Sequence, residues 1–60
     1  MAVITDERIA LAVAMSNLAD AAINASEVAK AAGLDAVAFA LLGEASIWTK
    51  ASQMVLGAAS

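Results

Sequence analysis

The sequence predicts an all-α protein, an antiparallel two-helix hairpin (αα-hairpin) packed into a larger helical assembly. Three observations carry this. Eighteen of the 60 residues are Ala, the strongest helix former, and Pro is absent. Two helix-start signals, Thr5-Asp6-Glu7 and Asp35, each precede a long Ala-rich run. A single break at Gly33 separates the runs, and so short a connection makes antiparallel neighbours. Strands are not expected, because Ala is depleted in sheets and no apolar–polar alternation persists. Residues 1–60 read as one unit, with no internal repeat beyond the shared start signal.

The first helix is expected over about residues 5–32. The Thr5 hydroxyl is suited to accept from a free first-turn amide, and Asp6 and Glu7 sit at the positive end of the helix dipole. Ile4 and Ile9 occupy the two positions of a hydrophobic staple. Lys30 falls in the last turn, where a cation suits the dipole, and Gly33 takes the left-handed conformation cheaply. After a turn at 33–34 the second helix is expected over about 35–59. Asp35 is read as its N-cap, with Leu34 and Phe39 as a second staple. Gly43 and Gly57 interrupt this helix at about 1 kcal/mol each relative to Ala, so Gly43 is expected to permit close packing. Each helix is then about 25–27 residues, or roughly 40 Å, long.

Composition excludes several function classes. With no Cys and no His there is no disulfide framework and no ordinary structural zinc site. His, Cys and Tyr are absent, and no carboxylate pair stands beside a nucleophile, so no enzyme, cofactor or metal is expected. A net charge of −3 argues against a freestanding nucleic-acid binder. The opening residues, Met-Ala-Val-Ile-Thr-Asp-Glu-Arg, are not a basic region followed by an apolar run, so a cleaved signal is not expected. The uncharged stretches 9–19 and 51–60 fall short of the roughly 18–20 residues of a membrane span. Yet the chain is 63% hydrophobic with a mean hydropathy of +0.86. Small chains without a disulfide or metal usually need oligomerisation or an idealised helical core. Burial against copies of itself is therefore the expected solution.

The apolar residues lie on more than one face. On the first helix Leu11, Met15, Leu18, Ala22, Ala25, Ala29 and Ala32 alternate steps of four and three, a coiled-coil seam. On the second, Ala36, Ala40, Gly43, Ile47, Ala51, Met54 and Ala58 form a small-residue face with an 11-residue period. This face is expected to pack on the first helix. Val37, Leu41, Trp48 and Val55 make a further apolar stripe about a quarter-turn away, and Ile9 and Ile23 lie off the first seam. A two-helix hairpin cannot bury all of these. Neighbouring copies are the expected cover, with lipid as the alternative.

The polar residues are fewer. Asn17, Asp20, Asn24 and Glu27 form a stripe read as a solvated face, or alternatively as a polar seam or lumen lining. Trp48 is read as packing, ahead of a membrane anchor or a base-stacking platform. Glu44 lies on an apolar flank and is read as solvated or as pairing across an interface. The bases are Arg8, Lys30 and Lys50. Lys50 is expected to pair with Asp20 across the hairpin. In an assembly of many copies these three bases are also the candidates to face phosphate in a channel. Asn24-Ala25-Ser26 matches the N-glycosylation pattern but falls mid-helix.

The two Ala-rich helices, residues 5–32 and 35–59, hinged at Gly33, resemble the small all-helical major coat proteins of rod-shaped or filamentous viruses. In type they are similar to the helical-hairpin coats of bacilliform, clavavirus-type archaeal viruses. The resemblance implies a virion protein, present in many copies, forming a helical shell around double-stranded DNA. Filamentous-phage coats match less well, because the tail 51–60 carries no base. Two alternatives remain open, both secreted or at the cell surface. One is a membrane-active, bacteriocin-like peptide, against which a net charge of −3 argues. The other is a conjugative-type pilin, which calls for longer uncharged spans.

Overall fold

The computed structural model describes residues 5–57. Two helices, α1 (Asp6–Ala31) and α2 (Asp35–Gly57), form an antiparallel hairpin, and no strand occurs among the described residues. The start of α1 is as its sequence dictates. Thr5 is extended, and its side chain accepts a hydrogen bond from the Arg8 amide at 3.2 Å. Ile4 lies outside the described residues, and so does the first staple.

The turn is a Schellman motif. Gly33 adopts φ 79°, the Leu34 amide donates to the Ala29 carbonyl at 2.9 Å, and the Gly33 amide donates to Lys30 at 3.0 Å. The Leu34 carbonyl then accepts from the Ala38 amide at 2.9 Å, which makes Leu34 the N-cap of α2. Asp35 is therefore not the cap but the first helical residue, where its charge still suits the dipole. The second staple does not form: Phe39 is 81% exposed, and Leu34 is exposed as well.

The helices meet along a seam one residue away from the expected one. In α1 the buried or half-buried residues are Arg8, Ala12, Met15, Ala19, Ala22, Ser26 and Ala29, with Ala25 beside them. In α2 they are Ala38, Leu41, Ala45, Trp48, Ser52 and Val55, with Ala51 beside them. Both sets alternate steps of three and four, the spacing of a coiled coil. Leu11 and Leu18 are turned outward, as is Ala32, whereas Met15, Ala22, Ala25 and Ala29 keep their inward place. The expected packing face of α2 is overturned more fully. Ala36, Ala40, Gly43, Ile47 and Met54 are exposed, and an added Cβ at Gly43 would meet nothing within 4 Å. Ala51 of that face is half-buried, and Ala58 lies outside the described residues. The stripe Leu41, Trp48 and Val55 packs instead, while Val37 stays exposed. Ile47 and Met54 are left out along with Ala36, Ala40 and Gly43, so side-chain size alone does not choose the face; the seam pairs the Leu41, Trp48 and Val55 stripe with the small residues Ala38, Ala45 and Ser52 beside it.

Inside the seam lies a repeat that the start signals did not reveal. Ala12, Ala19 and Ser26 recur every seven residues in α1, and Ala38, Ala45 and Ser52 do the same in α2. Five of these six residues are buried, and Ser52 is half-buried. Both serines direct their hydroxyls to main-chain carbonyls. Ser26 donates to Ile23 at 2.6 Å within α1, and Ser52 donates to Ala12 at 3.0 Å across the hairpin. The second bond sets the register, bringing Ala19 level with Ala45 and Met15 level with Trp48. Among the described residues no side chain larger than Ala or Ser is buried, and none is fully so.

Candidate assembly surface

The hairpin is a thin blade, 49 × 14 × 8 Å across its Cα positions. It has two broad faces and two narrow edges, and the seven-residue pattern decides what each carries. On one broad face the line between the helices is floored by the small layer, so the face is grooved. Three depressions run along it, of about 360, 380 and 230 Å3. The first, next to the turn, lies over Ala38 and is walled by Lys30, Asp35, Phe39 and Leu42. Leu42 also walls the second, over Ala45, together with Ile23, Ser46, Thr49, Lys50 and Gln53. The third lies over Ala12 and Ser52 between Ile9, Val13, Ser16 and Leu56.

On the opposite broad face the line between the helices is filled. Met15, Leu41, Trp48 and Val55 stand there half-buried, with Leu11, Leu18 and Val37 exposed alongside. Val28, Ile47 and Met54 lie farther out on the same face, 70%, 60% and 67% exposed. By helical spacing the edge of α1 carries Asn17 and Asn24, with Asp20 and Glu27 adjoining, all exposed. The edge of α2 carries Ala36, Gly43, Lys50 and Gly57, so its one charged residue is Lys50.

The three bases do not converge. Arg8 is turned toward the seam, half-buried, and its Nη1 is shielded from solvent without a hydrogen-bond partner. Lys30 and Lys50 both border the groove, but the hairpin register separates them by roughly 24 Å at 1.5 Å per residue. Among the described residues no ion pair joins Lys50 to Asp20, contrary to expectation. Lys50 instead borders the depression beside Ile23 and Gln53. Trp48 is half-buried in the seam, as packing requires, and does not stand free as a stacking platform. Glu44 is exposed. The triplet Asn24-Ala25-Ser26 lies mid-helix with its Ser buried and hydrogen-bonded. Among the described residues no group of three acidic or other ligating side chains is placed to hold a metal ion.

Sequence reasoning missed the groove. Its signal was present in the two seven-residue runs of Ala, Ala and Ser, but a stripe of larger residues lay one position away in α1. The length of α1 bears on the membrane alternative. Asp6–Ala31 is long and apolar enough to cross a membrane, by length and composition, and 17% of its 18-residue apolar window is buried within the hairpin. The uncharged runs alone understate it, since two isolated charges do not exclude a span. Compared with protein-family models, curated proteins and solved structures, the chain matches none of them.

Proposed function

We propose that this protein is a structural subunit that assembles in many copies into a helical rod or filament, and that the rod is a viral coat enclosing double-stranded DNA. The observation that carries the reading is the balance between core and surface. Among the described residues the core consists of Ala and one Ser, while thirteen large apolar side chains are exposed. Six of these border the groove and six lie on the filled face, with Leu34 at the turn. Monomeric soluble proteins rarely leave contiguous patches of this kind uncovered. Covering both faces of a thin blade with further blades leaves only the edges free, which is the arrangement of a wall.

In such a wall the α1 edge, with Asn17, Asp20, Asn24 and Glu27, meets solvent. The α2 edge is uncharged except for Lys50 and is the edge suited to a phosphate surface. One lysine per copy, repeated along a rod, offsets part of the phosphate charge. Arg8 contributes less, being half-buried, and Lys30 stands near the turn. The role is mechanical, and the residues offer no catalytic step.

The test is assembly in detergent-free buffer with double-stranded DNA, followed by nuclease digestion. Sedimenting rods that protect DNA are expected, and Lys50→Glu should give rods that lose it. Rods of Lys50→Glu that retain DNA in full would remove Lys50 from the proposal, and rods of the natural chain that never protect DNA would remove the coat.

A second reading is favoured by the span-length apolar helix Asp6–Ala31. Lipid in place of neighbouring copies would cover the same faces, as in a membrane-active peptide or a conjugative-type pilin. Asp20 and Glu27 within that helix, and the net charge of −3, argue against it.

A further inference from the structure

We infer that the copies meet through a heterologous contact, in which the filled face of one hairpin seats in the groove of the next. The inference rests on the self-assembly reading and specifies its geometry. The two broad faces differ in shape for one reason, the size of the side chains in alternate layers of the seam. Ala38, Ala45, Ser52 and Ala12 floor a groove on one face. Met15, Leu41, Trp48 and Val55 fill the corresponding line on the other. Two grooves placed face to face enclose a void, and two filled faces meet without interdigitating. A filled face against a groove satisfies the close packing that apolar interfaces require.

Area and composition support the same partner. A broad face outlines roughly 700 Å2 between its Cα positions, close to the about 800 Å2 per partner that a stable contact buries. Each face carries six exposed large apolar residues, so neither is the polar back of a one-sided dimer. A head-to-tail contact of this kind does not close on itself in pairs but propagates, giving a ring or an open helix.

Two variants test it. Leu42→Lys places a charge between two depressions of the groove, and Leu18→Lys places one on the filled face; both positions are exposed, so the hairpin seam is untouched. Each variant alone should fail to form rods. An equimolar mixture should form one-to-one heterodimers in sedimentation, because each supplies the face the other lacks. Circular dichroism of each variant and of the mixture accounts for folding: a variant unfolded alone should regain helicity on mixing. Either variant should also shorten natural rods when added in small proportion, by capping an end. Self-dimers of either variant that mixing does not change, or a mixture with neither heterodimers nor regained helicity, would overturn the inference while leaving assembly intact. Absence of rods from the natural chain, or its uptake by phosphatidylcholine vesicles instead, would overturn assembly and this contact together.

Discussion

The Ser52 hydroxyl donates to the Ala12 carbonyl at 3.0 Å, joining residues forty positions apart. Both belong to the small layer of the seam. A hydroxyl reaches a neighbouring backbone only where helices approach closely, and Ala or Ser at every seventh position allows that approach. Ser52→Ala should therefore cost about 1 kcal/mol, the net worth of one hydrogen bond. Ala45→Leu, at a residue 5% exposed, should cost about 1–3 kcal/mol by forcing the helices apart. Thermal unfolding followed by circular dichroism ranks the two, and a larger loss for Ser52→Ala would contradict the close-packed layer.

Gly33 is the second fixed point. Its φ of 79° is strained for any residue bearing a Cβ, although nothing crowds the position. Gly33→Ala should destabilise the hairpin by about 1 kcal/mol, with Gly33→Asn intermediate. Equal stability of all three proteins in denaturant titration would mean that the turn does not hold this conformation in solution.

Gly43 should behave in the opposite way. It lies mid-helix on the edge of α2, with open space where a Cβ would stand. Gly43→Ala should raise stability by roughly 0.5–1 kcal/mol through helix propensity alone. Rod formation should persist, because that edge is not a broad face. Loss of rods in a stabilised variant would show that the α2 edge is itself a contact between copies.

Trp48 is the single tryptophan and lies half-buried on the filled face. Seating that face in a neighbour's groove removes its remaining solvent contact. Its emission should move to shorter wavelength on assembly, and acrylamide quenching should fall severalfold. Unchanged emission between dilute subunits and rods would place Trp48 outside the contact.

How much of this was legible follows from the range of each signal. Thr5 and Gly33 act on amides and carbonyls within a few residues, so their roles could be read from the sequence directly. Asp35 missed the cap position by one residue because the Schellman turn makes the Leu34 carbonyl the first acceptor of α2. The seam was harder. Leu11 and Leu18 lie one position before Ala12 and Ala19, and both stripes repeat at coiled-coil spacing. Periodicity cannot separate them; the small layer of the opposite helix does. The groove was hidden for the same reason, since it depends on Ala12 and Ser52 standing level across the hairpin. The pairing of Lys50 with Asp20 failed because Lys50 lies on the far edge of α2 and borders the groove instead.

The most direct test is electron microscopy of the natural chain in detergent-free buffer. Self-assembly predicts uniform rods or filaments of constant width, built without lipid. Dispersed small particles, or material that persists only in detergent, would contradict it and place lipid on both apolar faces.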